Sequence, residues 1–257
     1  MLLHGGSVRW QHLAHLVDEL ADQWHVYAPD LRGHGKSSHA PRRYRLSDYA
    51  DDIVALLERL TGRADVFGHS LGAQVAIVAA ARRPELFRAL AIGDTPLSAS
   101  TLRPGLLQAR PRLRVWRDLA ATDRALDEIA DALREMRVDF EGRSGRAEDL
   151  MTKDSTWFPF MAECLHDLDS TMLDAVIEFE EMHAGYEARR LLPQITCPIL
   201  LIQADPAHGG SLSDEDVASA RSLLQDLRVA RIDGVGHSAY PSKIASVLRD
   251  FFSGSGV

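Results

Sequence analysis

The chain has 257 residues, of which 46% are hydrophobic and 26% are charged, and its formal net charge is −8. This length fits one large α/β domain, or such a core with an inserted subdomain, better than a series of small modules. The negative charge argues against a nucleic-acid-binding protein, because phosphate binding needs a basic face. The sequence has no run of about 18 apolar residues, so we expect no membrane span.

Cysteine and histidine usage gives no sign of a metal or disulfide protein. The two cysteines, Cys164 and Cys197, are too few for a disulfide framework and lie at no metal-ligand spacing. The histidines are scattered, so we expect neither a metal nor a cofactor. No signal-peptide pattern is visible, and we expect a cytoplasmic location. Met1–Leu3 already resembles the end of a buried strand, which indicates that the first strands are shortened or missing.

The first hundred residues alternate between helical and strand patterns, as a parallel sheet with crossover helices requires. A helical stripe at Leu13–Leu20 precedes a short predicted strand at His25–Ala28, which Pro29 ends. Ser47 is the expected N-cap of a second helix. This part of the chain is also expected to hold strands at 64–67 and 89–93 and a helix at 71–82.

Residues 95–195 have helical periodicity without a predicted strand; Thr122 is an expected helix cap, and another helix is expected to begin at Ser170. The arginines of Arg103–Arg117 alternate with Leu, Pro and Val, which indicates a mixed surface. Strands are then expected at 198–202 and 228–233, and helices from Ser213 and Ser242. We therefore predict a mostly parallel sheet with helices on both faces, formed by residues 1–94 and 196–257, and a helical cap at 95–195.

The strongest local signal is Gly68-His69-Ser70-Leu71-Gly72. It matches the pattern Gly-x-Ser-x-Gly and lies between a predicted strand and a predicted helix, which is the context that pattern requires. The glycines allow a tight turn in which Ser70 takes a strained conformation. The helix that starts at Leu71 directs its N-terminal dipole at an oxyanion beside Ser70.

A serine hydroxyl needs a base within hydrogen-bonding reach to act as a nucleophile. His237, in Gly234-Val235-Gly236-His237-Ser238, follows the last predicted strand. Its place in the chain fits the order serine, acid, histidine. We therefore predict that His237 is the base for Ser70.

Four motifs in this order resemble those of the α/β-hydrolase superfamily. They are Leu3-His4-Gly5-Gly6, Asp30-Leu31-Arg32-Gly33-His34-Gly35-Lys36-Ser37, the elbow Gly68–Gly72, and Gly236-His237. The resemblance implies an α/β-hydrolase fold, with an oxyanion hole formed by the backbone N–H groups of Gly6 and Leu71. It also implies a structural role for the Asp30–Ser37 loop.

The acid is where this chain departs from the superfamily pattern. Members commonly carry a loop resembling Gly-x-x-Asp after the sixth or seventh strand, whereas this chain has the shorter Gln203-Ala204-Asp205-Pro206. A carboxylate is needed to orient the histidine, and Asp205 is the predicted acid by its position. Asp94, which ends the predicted strand at 89–93, is the alternative.

The sequence thus predicts a serine hydrolase that cleaves an ester or related acyl bond of a small, apolar substrate, through Ser70, His237 and Asp205. Alternatives on the same fold are a carbon–carbon bond hydrolase, a lactonase, an amidase or an acyltransferase, and a slow-turnover ligand-sensing protein is a further one. The protein could be a monomer or a homodimer. Aromatic residues and methionines of the cap suit either a pocket roof or the cap's own core: Trp157, Phe158, Phe160, Met161, Met172 and Met182.

Overall fold

The computed structural model describes residues 1–140, 143–150, 156–238 and 243–254. Its strands are β1 (Leu2–Leu3), β2 (Ala64–His69), β3 (Phe87–Gly93), β4 (Arg137–Phe140), β5 (Arg143–Arg146), β6 (Ile199–Ala204) and β7 (Leu227–Ile232). Five of them form one sheet in the order β1-β2-β3-β6-β7, and every pair is parallel. The predicted parallel sheet is confirmed.

Helices separate the strands of the sheet, as parallel pairing requires. They are α1 (Ala14–Leu20), α2 (Leu46–Leu60), α3 (Leu71–Arg82), α4 (Ala99–Ala120), α5 (Leu126–Glu135), α6 (Ala147–Leu150), α7 (Trp157–His166), α8 (Ser170–Glu178), α9 (Ala188–Leu191), α10 (Asp214–Leu223) and α11 (Lys243–Ser253). No helix among the described residues is long and apolar enough to cross a bilayer. Ser242, the predicted start of the last helix, lies outside the described residues.

The sheet is packed on both faces because successive strand residues point to opposite sides. On one face Val66 belongs to the cluster that includes apolar residues of α2 and α3. On the other face Phe67 packs with apolar residues of α1 and α11. The predicted placement of helices on both faces is thus confirmed. Strand β6 is buried along its whole length, as its apolar sequence predicts.

Three predicted local features differ from the structure. Residues 25–28 form no strand. The neighbouring β1 has only two residues, and its backbone contact with this segment is limited to the Leu2 N–H, which donates to Tyr27 O at 2.8 Å. Helix α2 starts one residue before Ser47, and the Asp48 carboxylate accepts from the N–H of its N-cap Arg45 at 3.1 Å. Thr122 caps no helix, since its Oγ1 donates back to Leu119 O at 2.8 Å.

The segment 95–195 contains helices α4–α9 and also a hairpin that the sequence did not predict. Strands β4 and β5 pair antiparallel, with Val138 opposite Gly145. They are four residues each and rich in charged residues, so they lack the apolar alternation by which a strand is recognised. Helix α8 begins at Ser170 as predicted, but its N-cap is Asp169, whose carboxylate accepts from the Thr171 N–H. The division of the chain into core and cap stays a prediction.

Candidate active site

Ser70 lies on the sharp turn between β2 and α3, where its backbone has φ 52° and ψ −115°. This is a strained conformation for a residue with a side chain. Neighbouring backbone crowds the turn: a Cβ added to Gly68 would lie 2.4 Å from Gly72 O, and one added to Gly72 would lie 2.4 Å from Leu3 O. Only glycine fits at both positions, which fixes the Ser70 hydroxyl at the carboxyl edge of the sheet.

A chain of hydrogen bonds leads from Ser70 into the protein. His237 Nε2 lies 3.0 Å from Ser70 Oγ, and His237 Nδ1 lies 2.7 Å from Asp94 Oδ2. These distances define a histidine that donates from Nδ1 to the carboxylate and accepts at Nε2 from the hydroxyl. Asp94 follows β3 directly, is 3% exposed and has a positive φ of 38°.

The Asp94 carboxylate also accepts backbone hydrogen bonds from the loop after β6. Its Oδ1 accepts from the N–H groups of Ala204 at 3.0 Å and Leu212 at 3.1 Å, and its Oδ2 accepts from that of Ser211 at 2.8 Å. Burial acts to raise the pKa of Asp94, but the His237 hydrogen bond and the Ser211 and Leu212 N–H groups outweigh it, so this pKa lies below its ordinary value. Asp94 therefore carries its negative charge beside the imidazole.

The prediction that Asp205 orients His237 is wrong for this geometry. The Asp205 carboxylate accepts from the N–H groups of Ala207 and Gly234, both at 3.0 Å, and lies 2.9 Å from His208 Nδ1. Asp205 follows β6 directly, and these local partners occupy its carboxylate. Asp205 instead caps its own turn at 206–208 and holds the loop that leads to His237.

Gly6 and Leu71 both line the cavity in front of Ser70. The N–H of Leu71, the first residue of α3, has no partner within that helix. Neither it nor the Gly6 N–H donates to an acceptor among the described residues. A Cβ at position 6 would lie 3.8 Å from Leu71 Cδ2, so the two predicted oxyanion donors are neighbours. Their role toward an oxyanion stays a prediction.

Two buried histidines hold the loop that carries Gly6, and sequence reasoning gave them no role. His4 accepts at Nε2 from the Leu31 N–H at 2.9 Å and contacts Gly5 O through Nδ1 at 2.8 Å. His34 accepts at Nε2 from the Ser7 N–H at 3.3 Å. Burial is the main cause that lowers the pKa of His34 to about 4 and that of His4 well below its usual range. Both are neutral acceptors, and their positions inside two of the sequence motifs were the signal for them.

The cavity has a volume of about 290 Å³ and is lined both by residues of the segment 95–195 and by residues outside it. From residues 95–195 it receives Trp157, Phe160, Met161 and Met182, which fits the first of the two alternatives, a pocket roof. Phe158 and Met172 do not line the cavity and are buried in the core cluster, to which Met161 and Met182 also belong. Arg112 also lines the cavity, although its neighbourhood in the sequence had indicated only a mixed surface.

Comparison with known proteins identifies the family to which this chain belongs. A model of the alpha/beta hydrolase family matches residues 1–246. The chain belongs to the alpha/beta hydrolase family. The fold, the serine at a strand-to-helix elbow and the histidine after the last strand are arranged as the sequence resemblance implied.

The relatives of this alpha/beta hydrolase include characterised enzymes. It is 29% identical to an N-formylmaleamate deformylase of Pseudomonas putida over 238 residues, covering 90% of this chain and 77% of the relative. It is 27% identical to a pimeloyl-[acyl-carrier protein] methyl ester esterase of Neisseria meningitidis, covering 98% of this chain and 93% of the relative. The family and these relatives identify the chain as a hydrolase.

Solved structures share the fold of this alpha/beta hydrolase at low sequence identity. An E-2-(acetamidomethylene)succinate hydrolase superposes with a TM-score of 0.74 at 22% identity, covering 98% of this chain and 90% of that one. An esterase from Thermogutta terrifontis gives 0.71 at 20% identity, covering 100% and 89%. Within the described part of the chain, no cluster of three or more His, Cys, Asp or Glu side chains is arranged to hold a metal ion.

Proposed function

We propose that this hydrolase cleaves an ester or a related acyl bond, with Ser70 as nucleophile, His237 as general base and Asp94 as the orienting acid. The observation that carries the proposal is the hydrogen-bonded chain from Asp94 Oδ2 through the His237 ring to Ser70 Oγ. Its hydroxyl end opens into a cavity. A serine, a base and an anion in this order are the parts that acyl transfer requires.

In the first half of the reaction, Ser70 Oγ attacks the carbonyl carbon while its proton moves to His237 Nε2. The carbonyl π pair becomes the oxyanion of a tetrahedral intermediate. Asp94 stabilises the imidazolium that forms, since it accepts the Nδ1–H at 2.7 Å. As the intermediate collapses, the bond to the leaving group breaks and the leaving group takes the proton from Nε2, which leaves an acyl-enzyme.

In the second half, water replaces the leaving group. His237 accepts a proton from the water as its oxygen attacks the acyl carbon, and the same proton returns to Ser70 Oγ when the acyl bond breaks. The products are the free enzyme and a carboxylic acid. In both halves the oxyanion would be bound by the N–H groups of Gly6 and Leu71, which lack other acceptors among the described residues.

The volume and the lining of the cavity support the proposal that the substrate is small and largely apolar. Its volume of about 290 Å³ lies near the lower end of the usual range for ligand pockets, about 300 to 1,000 Å³. Residues 95–195 contribute leucine, methionine and aromatic side chains to it. We propose that this segment acts as the cap over the site and defines the shape of the acyl or leaving group.

Covalent labelling tests the nucleophile. A fluorophosphonate probe should label Ser70, because a base-activated serine next to oxyanion donors attacks phosphorus. The Ser70→Ala variant should not be labelled, whereas Ser238→Ala, which removes another serine lining the cavity, should be labelled normally. Retention of the label in Ser70→Ala would refute the proposal.

Amide hydrolysis is a second candidate, supported by the name of the deformylase relative, which covers most of this chain. Ester and amide cleavage use the same residues, so geometry does not separate them. Matched substrates that share an acyl group but differ in the leaving oxygen or nitrogen separate them by kcat/KM. We propose the ester, and a higher kcat/KM for the amide would assign the chain to amidases.

A further inference from the structure

Helix α4 presents one long stripe of residues to the cavity. Its members are spaced three or four residues apart, except where two are adjacent, and so share one helix face: Leu102, Leu106, Ala109, Arg112, Leu113 and Trp116. Arg112 is the only charged residue of this stripe. Ala109, one turn before it, has a short side chain and leaves space beside the arginine.

Arg112 differs from three other arginines of α4, but not from exposed Arg114, in having no acceptor among the described residues. Arg103 pairs with Glu180, Arg117 pairs with Asp174, and the Arg110 guanidinium donates to Ile177 O. Arg112 makes no hydrogen bond or ion pair to any residue in the described ranges. By surface area it is an exposed residue, so a ligand can reach it. The surrounding protein atoms nevertheless partly desolvate its guanidinium, which lowers the pKa of Arg112.

The rest of the cavity wall supplies no counter-charge. Among its described lining residues there is no aspartate or glutamate. Burial lowers the pKa of His12 to about 4 and also lowers that of His183, so both rings are neutral at neutral pH. Among the described lining residues, Arg112 is therefore the one permanent charge facing a mostly apolar space.

Trp116 fixes the position of this cation. The Arg112 Cζ lies 5.2 Å from the centre of the Trp116 ring, within the distance of a cation–π contact. The buried Nε1–H of Trp116 also finds no acceptor among the described residues. Two donors that have no acceptor in the described part of the chain thus lie side by side on the cavity wall.

We propose that Arg112 binds a carboxylate of the substrate, so that the preferred substrates are acyl compounds carrying a second, anionic carboxylate, such as half-esters of short dicarboxylic acids. A planar guanidinium binds a carboxylate through two parallel hydrogen bonds, and a poorly hydrated one gains more from doing so. A phosphate ester is the competing anion. This inference rests on the proposed function, since it places the carboxylate relative to an acyl group at Ser70.

The test compares two esters that differ in one charge. They are mono-4-nitrophenyl glutarate, which is anionic, and methyl 4-nitrophenyl glutarate, the mixed diester, which is neutral. The wild type should hydrolyse the anionic ester with a kcat/KM about 10- to 100-fold above that for the neutral one, as a hydrogen-bonded charge pair allows. Arg112→Gln should remove this preference and leave the neutral ester within about threefold of wild type. Arg114→Gln, an exposed arginine outside the cavity lining, should change neither.

If Arg112→Gln lowers kcat/KM equally for both esters, or for neither, the proposal of a carboxylate site is overturned. If the wild type hydrolyses no ester at all, the proposed function fails, and titration of glutarate into Ser70→Ala by calorimetry then decides the inference alone. Binding that is lost in the double variant with Arg112→Gln supports the site. Absence of glutarate binding, binding unaffected by Arg112→Gln, or tighter binding of inorganic phosphate than of glutarate overturns it.

Discussion

At the scale of single residues, the turn at Ser70 and the contact of His237 with Asp94 bring a hydroxyl and an imidazole together. The turn places the hydroxyl 3.0 Å from the imidazole, and the imidazole is held by Asp94 at 2.7 Å. Each group is useful only when the other is present. Catalytic loss is therefore expected to belong to the pair rather than to either member.

Ser70→Ala and His237→Ala should each lower kcat by several orders of magnitude, roughly the effect of removing a member of a serine triad elsewhere. The double variant should lose little more than either single one, because the residues act as a unit. Burst-corrected steady-state kinetics on one 4-nitrophenyl ester measures this. Additive losses in the double variant would show that the two residues act independently.

The two carboxylates should respond differently to the same small change. Asp94→Asn replaces the acceptor of the Nδ1–H by an amide that favours the other tautomer, and should lower kcat on the order of 10⁴-fold. Asp205→Asn leaves the His237 contact untouched, so kcat should stay within about tenfold of wild type. Melting temperatures of both variants serve as controls for folding. A greater loss in Asp205→Asn would return the orienting role to that residue.

At the scale of elements, α3 and α4 place their glycines in opposite environments. Gly72, in the first turn of α3, lies against the backbone of β1, where an added Cβ would be 2.4 Å from Leu3 O. Gly105, in the exposed part of α4, has no atom within 4 Å of its Cβ position. Replacement of these two glycines by alanine is therefore expected to change the free energy of unfolding in opposite directions.

Gly105→Ala should raise the free energy of unfolding by about 0.5–1 kcal/mol, because alanine loses less backbone entropy in a helix. Gly72→Ala should lower it by more than that, since backbone on both sides must shift. Urea denaturation of the two variants gives both values. Stabilisation by Gly72→Ala would mean that β1 and α3 are not packed as closely as described.

The elements also show what a sequence can and cannot predict. The elbow at Ser70 and the position of His237 were predicted because local motifs carry both. The choice between Asp94 and Asp205 depends on how the loop after β6 folds back onto β3, which no local pattern encodes. Arg112 was missed for a similar reason, because its direction toward the pocket follows from the packing of α4. The hairpin β4–β5 was missed for another reason, since its strands lack the apolar alternation by which a strand is recognised.

At the scale of the whole molecule, buried neutral histidines make the fold sensitive to acid. His34 has an ordinary pKa of 6.5, which burial lowers to about 4 in the folded chain. Between these values the unfolded chain binds a proton that the folded chain does not, so stability is complete above pH 6.5 and falls as the pH decreases toward 4. At pH 5 this one group should cost about 2 kcal/mol.

Urea unfolding at pH 7.5 and pH 5 tests this sensitivity. The His34→Gln variant should be less stable than wild type at pH 7.5, since it disturbs a buried hydrogen-bonded site, but should lose less stability between the two pH values. His25→Gln, at an exposed position, should retain the wild-type pH dependence. An unchanged slope in His34→Gln would show that His34 is not the neutral buried acceptor described.

Asp94 and Asp205 end neighbouring parallel strands, and both reach the segment that carries His237: one binds the imidazole, and the other binds the Gly234 N–H. The segment that carries His237 is therefore anchored at two points, once to the end of β3 and once to the end of β6. Because these strands are paired neighbours of one sheet, their relative position determines where the imidazole lies.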